Sequence, residues 1–241
     1  MTRIYKYVLI ILPVTFSTFI VSCTHTVKKE QPTADIHEGT IEYNILWPAK
    51  IRNESISFFL PKQLTMKFNG SNEVFSMSGA MDLYTISLYH ANKSDSIYTF
   101  IDLNVQKQYT ISSVKSLQKW LNPNDDISVE IDRDTLRNIR EMKCHRAILF
   151  HTVKKRKIAT VWFTEEINAV DLNKYTPFRE VPGIIMEVIP ASGRDNLFGL
   201  KAVKISHEVI PEESFIPPIQ NYSYISEQEI GNIISDLIIS N

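Results

Sequence analysis

Two cysteines, six histidines and a few acidic pairs are the side chains with chemical reach in this chain of 241 residues. His145 and His151 are the closest-spaced histidines with a functional look, and their even spacing on a strand-like run puts them on one face. They then stand about 20 Å apart at about 3.3 Å per residue, too far for one metal ion. Glu165-Glu166 and Asp125-Asp126 are immediate neighbours. Neighbours on a strand point to opposite faces, so neither pair forms a carboxylate dyad, and these charges read as solvated surface. No G-x-S-x-G elbow, P-loop or H-E-x-x-H helix occurs in the chain. The sequence therefore predicts no enzyme, no metal site and no cofactor.

Cys23 stands in a different setting. Arg3 and Lys6 precede an apolar run from Val8 to Val21, and the run ends in Ser22-Cys23. A spanning helix needs about 20 apolar residues, so this cationic start and shorter apolar stretch read as a secretory signal. Ile20-Val21-Ser22-Cys23 resembles a bacterial lipobox, with a branched residue at −3, a small residue at −1 and the acceptor cysteine. That resemblance implies a lipoprotein: the thiol takes a diacylglycerol, residues 1–22 are cut away as the signal peptide, and the new amino terminus is acylated, palmitate being the usual label. Three acyl chains make a firm anchor, since two already give stable membrane attachment.

Cleavage removes Arg3 and Lys6, so the formal charge goes from −1 to −1 − 2 = −3. There is no basic excess, which argues against a nucleic-acid partner. With 44% hydrophobic and 22% charged residues, the composition is that of a folded domain. Cys144 has no second thiol to pair with once Cys23 is acylated, and beside a strand pattern it reads as a buried small hydrophobe. Residues 23–38 are polar, contain Pro32 and read as a flexible tether. Thr24 to Val27 hold no acidic run, and Lys28-Lys29 follow. Some bacteria use acidic residues at that place to reach the cell surface, so the pattern places the protein at the outer membrane, facing the periplasm.

From Gly39 onward the pattern has period two. Ile41, Tyr43 and Ile45 alternate with polar residues, as do Leu64, Met66 and Phe68; Asn69-Gly70-Ser71-Asn72 then turns the chain back into Val74-Phe75-Ser76-Met77. Tyr84-Ile86-Leu88-His90, Ile97–Ile101 and Gln108–Ile111 continue a meander, and Val114–Leu121 has the look of a short helix stopped by Asn122-Pro123-Asn124-Asp125. Strands resume at Arg146–His151 and Ile158–Phe163 around a tip of Lys154-Lys155-Arg156-Lys157. Such a tip is usually solvated; attraction to anionic lipid headgroups is the sharper alternative. Two more strands, Ile184–Ile189 and Leu197–Val209, flank a Pro190-Ala191-Ser192-Gly193 turn. Ser226 with Glu229 forms a capping box, and Ile230, Ile233, Ile234, Leu237 and Ile238 make one apolar stripe, so residues 226–240 predict a closing amphipathic helix. The expected fold is mainly β: one domain over residues 39–241, a large curved antiparallel sheet, open or a half barrel, with that helix across its open face.

Three segments, Lys143-Cys144-His145-Arg146-Ala147, Val161-Trp162-Phe163-Thr164-Glu165-Glu166-Ile167 and Phe178-Arg179-Glu180-Val181-Pro182-Gly183-Ile184-Ile185-Met186-Glu187, together resemble the GLPGLI family of secreted proteins. In the last motif Glu180 replaces the family's first glycine while Pro182-Gly183 is kept. The chain is also similar to related uncharacterised Bacteroidetes envelope lipoproteins, and its β pattern is similar to half-barrel carriers of the LolA and LolB type. The resemblance implies a secreted envelope protein and assigns no catalytic residue. By their physics, Pro182 and Gly183 make a sharp turn, and Trp162 buries a large apolar face, as a structural corner or beside a ligand. Asp95-Ser96-Ile97 and Asp134-Thr135-Leu136 match the pattern used for O-glycosylation of secreted Bacteroidetes proteins, so Ser96 and Thr135 are candidate acceptors in loop-like contexts.

Two functions stay open. One is a carrier whose sheet, with Phe68, Phe75, Tyr84, Phe100 and Trp162 on one face, encloses a groove for a lipid or other hydrophobic ligand. The other is a non-enzymatic interaction or structural module of an outer-membrane assembly. Growth with radiolabelled palmitate is expected to label the protein, and Cys23→Ser to abolish the label; intact-mass analysis showing an unmodified Cys23 would contradict the anchor.

Overall fold

The alternating segments assemble into one sheet of twelve strands in the computed structural model, which describes residues 36–52, 55–70, 72–91, 94–121, 126–169, 173–192 and 198–238. A first meander runs through β1 (Glu38–Leu46), β2 (Gln63–Asn69), β3 (Asn72–Ser78), β4 (Thr85–His90), β5 (Ser96–Asp102) and β6 (Lys107–Ser113). A short helix, α1 (Ala49–Arg52), lies in the β1–β2 connection. Helix α2 (Val114–Leu121) leads into a second meander of β7 (Ile127–Ile139), β8 (Met142–His151), β9 (Lys157–Thr164), β10 (Ile184–Pro190) and β11 (Gly199–Ser206). The chain ends in β12 (Ser223–Tyr224) and α3 (Glu227–Ile238).

The strand order is β12-β6-β5-β4-β3-β2-β1-β11-β10-β9-β8-β7. Its two ends do not meet, so the sheet is open. The meanders join where β1 pairs with β11, from Thr40 opposite Ser206 to Leu46 opposite Gly199. All pairings are antiparallel except β12 beside β6. Bulges in β7, β9, β10 and β11 interrupt the ladder and bend those strands. The expectation of a large, open, mainly β sheet with a C-terminal helix matches this architecture. All these elements fall within the compact unit Ala34–Asn241, which carries its own core and so folds as an independent piece.

Both faces of the first meander are covered. On one, Tyr84, Ile86 and Ile101 pack against Ile230 of α3, with Ile233, Ile234 and Leu237 beside them. Ser226 caps that helix as its spacing suggested: its hydroxyl accepts from the Glu229 amide at 3.2 Å, and Glu229 Oε2 accepts from the Ser226 amide at 2.9 Å. Farther along the same face, Ile97, Val114 and Tyr175 form a second buried group with Leu117 of α2. On the opposite face, Ile210 and Phe215 cover Val74 and Tyr89, and Tyr222 meets Phe100 edge-on with ring centroids 4.8 Å apart.

Several expectations need correction. Phe100 does not share a face with Phe68, Phe75 and Tyr84: it neighbours Ile101 in β5 and so points to the other side, into the Tyr89–Tyr109–Tyr222 cluster. Trp162, by contrast, packs with Phe75 against the buried cluster that holds Phe68. Strand β7 was not anticipated although Ile127, Val129 and Ile131 alternate with polar residues; beyond Ile131 its charges fall on both faces of an edge strand, and a bulge between Asp132 and Leu136 breaks the period. The strand expected over Leu197–Val209 is limited to Gly199–Ser206, where β1 supplies partners. Tether residues 36–38 are already pinned: the Ile36 carbonyl accepts from the Asn168 amide at 2.8 Å, and β1 begins at Glu38. The signal peptide, Cys23, the remainder of the tether and the Asn122–Asp125 stop lie outside the described residues.

The Pro182-Gly183 turn delivers the 173–183 segment into β10. Gly183 has φ +69°, and an added Cβ would stand 2.1 Å from the Thr164 carbonyl oxygen. Asn173 Nδ2 donates to the carbonyls of Val181 and Gly183, each at 2.9 Å, and holds the corner from within. Gly183→Ala combines left-handed backbone strain with a backbone clash and is expected to destabilise the protein by about 2 kcal/mol or more. Urea unfolding checks this, and an unchanged midpoint would contradict it.

Candidate functional site

The strand directions bring the 47–62 and 79–84 connections together over the ends of β1, β2 and β3. Between them lies an open groove of about 920 Å³. Its apolar wall is Ile45, Phe58, Leu60, Met77 and Met81, and its polar wall includes Asn44, Lys62, Gln63, Thr65 and Ser76. Alternation explains the mixture, because Ile45 and Met77 belong to one face of the sheet while Asn44, Thr65 and Ser76 belong to the other. Two hydrogen bonds fix the 47–62 connection in place. Trp47 Nε1 donates to the Pro61 carbonyl at 2.7 Å, and the Tyr84 hydroxyl donates to the Phe59 carbonyl at 3.2 Å. Burial pushes the Tyr84 phenol up to about 12, so it remains a donor at neutral pH. Phe58 and Phe59 are about half exposed and Met81 is 73% exposed. The volume is within the usual range for small-molecule sites.

A second site lies deep under the 173–183 segment. Glu73 alternates in phase with Phe75 and Met77, so β3 delivers a carboxylate to the core face. His90 is its direct cross-strand partner in β4, and His90 Nδ1 lies 3.2 Å from Glu73 Oε1. Both side chains are buried, and Tyr175 closes over them with its ring 5.5 Å from the His90 ring. The Tyr175 hydroxyl sits beside the carboxylate but outside hydrogen-bond geometry, and Glu73 Oε2 and His90 Nε2 are also left without a partner. Burial raises the Glu73 carboxyl above its ordinary value, opposed by His90, Tyr175 and the Lys174 charge. Burial, with the Glu73 charge added, also holds the Tyr175 phenol well above its ordinary range. Two ligating side chains are too few for a structural zinc site, and no cluster of three metal-ligating residues occurs among the described residues.

The side chains singled out by sequence scatter over the sheet. Cys144 is buried, and its thiol is pushed up to about 11 by that burial. The Arg137 guanidinium lies 5.5 Å from the Trp162 ring centroid and reaches the buried Glu187 carboxylate at 2.5 Å, so Trp162 shields an ion pair on the second meander. Pro182 and Gly183 form the corner described above and line no part of the groove. Ser96 and Thr135 belong to strands and not to loops. Ser96 opens β5 opposite Ser113, and Thr135 sits in the β7 bulge, its hydroxyl donating to Asp132 Oδ2 at 2.7 Å. His145 and His151 each have separate partners, the Arg133 carbonyl and Asp126. Neither the groove nor the Glu73–His90 pair was singled out by motif. The pair did leave a signal, a carboxylate and an imidazole in phase with core positions.

A carboxyl raised by burial binds its proton more tightly in the folded than in the unfolded state. Its contribution is then fully present below the ordinary Glu value of 4.5 and is lost as pH rises through the folded value. Glu73→Gln removes that loss and is expected to exceed the wild type in stability at neutral pH, with the gap closing as pH falls to the ordinary Glu value. Chemical denaturation across that range checks it; a variant less stable at neutral pH would contradict it.

No family model matches the chain, and no curated protein matches it. Among solved structures, the chain is similar to one described as "Structure of PNGF-II in C2 space group". The two are 10% identical with a TM-score of 0.49, and the match covers 83% of this chain and 33% of that one. The chain thus spans about a third of the length of that structure. The likeness to the GLPGLI family is carried by the quoted segments alone.

Proposed function

We propose that this protein is a lipoprotein of the outer membrane, anchored through acylated Cys23 and facing the periplasm, that binds an amphiphilic molecule without turning it over. The observation that carries this reading is the groove between the 47–62 and 79–84 connections. An acyl chain suits the apolar wall of Ile45, Phe58, Leu60 and Met77, and an anionic head suits Lys62 at the same site. Ten buried methylenes supply on the order of 8 kcal/mol before the costs of association, so the acyl chain alone binds more weakly than micromolar and contacts to the head must add to it. Asn44, Gln63, Thr65, Ser76 and Ser78 add neutral groups suited to hydrogen bonding, and Asp82 places one carboxylate at the wall, on the 79–84 connection. The signal, the tether and the position of Cys23 support the envelope address.

Natively purified protein is expected to release a lipid on organic extraction and then to bind a fluorescent fatty acid. Met77→Asp is expected to weaken that binding about tenfold or more by placing a charge on the apolar wall, and Lys62→Glu several-fold at low salt. Protein that carries no lipid in any preparation, with unchanged affinities in both variants, would leave the interaction-module reading in its place.

A further inference from the structure

We infer that the rim of the sheet holding this groove docks onto an anionic phospholipid bilayer. The strand directions place five connections on that rim, 47–62, 79–84, 103–106, 152–156 and 191–198. Among the described residues sixteen large apolar side chains are exposed to water; seven lie in these connections, and Leu46 and Ile189 stand at the strand ends beside them. They include Phe58 and Phe59, whose rings meet edge-on at 5.4 Å, Met81 at 73%, Val105 at 96% and Val153 at 82% exposed. Protein surfaces that gather apolar side chains at one place are docking sites far more often than accidents.

Charge identifies the occupant. The rim carries Lys50, Arg52 and Lys62 in one connection and Lys154, Lys155, Arg156 and Lys157 at another, all exposed. Of its acidic side chains, Asp102 is held by Lys107 at 2.6 Å and Asp126 by His151 at 2.7 Å, while Asp82 is exposed, one carboxylate against seven cations. The opposite rim is mixed in charge: exposed Glu208, Glu212 and Glu213 follow β11, and exposed Arg140 and Lys143 stand at the β7–β8 turn. Apolar tips among basic side chains match an anionic headgroup layer over hydrocarbon, where each basic residue raises partitioning about fivefold. A protein partner with an apolar patch would not need seven cations spread around the rim. The Cys23 anchor does not forbid this orientation. The stretch 24–35, up to the pinned Ile36, has a contour length of about 40–43 Å, more than the roughly 30 Å length of β1.

The inference concerns the rim and stands apart from what fills the groove. Because Lys154, Lys155 and Arg156 line no part of the groove, failure of docking and failure of ligand capture are read separately. The test is sedimentation of the Ala34–Asn241 unit with vesicles of phosphatidylcholine alone and of equimolar phosphatidylcholine and phosphatidylglycerol. Binding is expected to be about tenfold or more tighter to the mixed vesicles and to fall with salt. Lys154→Ser with Lys155→Asn and Arg156→Ser is expected to weaken it about tenfold or more. Phe58→Ser with Phe59→Ser is expected to weaken binding to both vesicle types. Circular dichroism confirms that each variant is folded. Absent vesicle binding, charge variants that bind as well as wild type, or a rim occupied by a second copy (a dimer abolished by the Phe58 and Phe59 changes) would each overturn the inference.

Discussion

Strand β1 is hydrogen-bonded along both edges, to β2 on one side and to β11 on the other, and the rest of the molecule depends on that double pairing. Its partners on the β11 side lie some 160 residues away, so the seam unites two meanders that are otherwise built from near neighbours. Ile41, Tyr43 and Ile45 of β1 are all buried, and the Tyr43 hydroxyl reaches across to the Ile185 carbonyl of β10 at 2.9 Å. A one-residue slip here would turn those three side chains to the wrong face. The register of β1 also decides which connections share a rim, and so where the groove and the basic tip stand.

Local chemistry carried most of the fold. Asn69-Gly70 marks the β2–β3 hairpin because Gly70 takes φ +59° there. Ser226 and Glu229 mark the start of α3 because they satisfy its free amides, and its stripe meets Tyr84, Ile86 and Ile101. What stayed hidden was long-range or irregular. Nothing local in Thr40–Leu46 names Gly199–Ser206 as its partner. Strand β7 escaped because its alternation is confined to Ile127, Val129 and Ile131, after which charges stand on both faces of this edge strand and its bulge shifts the period.

The sites were less legible for a related reason. Period two tells which residues share a face of one strand, but the side on which each strand presents that face comes from the turn before it. Phe100 was therefore grouped with Phe68 although it lies on the far side with Tyr222. Glu73 and His90 could be recognised as out-of-character residues in core phase, yet their meeting required the β3–β4 register. The groove needed even more, since its walls come from β1–β3 and two connections with no shared motif.

With α3, α2 and the 173–183 segment packed on one face of the first meander and the 210–222 segment on the other, the rim is where open space remains. The proposed function rests on an amphiphile choosing that space over the buried polar pocket. Photolysis of a bound diazirine-bearing fatty acid, with the adducts located by peptide mass spectrometry, tests that choice directly. Adducts on residues 45–46, 58–60 and 77–81 are the result this account requires; labelling confined to the neighbourhood of Glu73, His90 and Tyr175, or spread without preference, would contradict it.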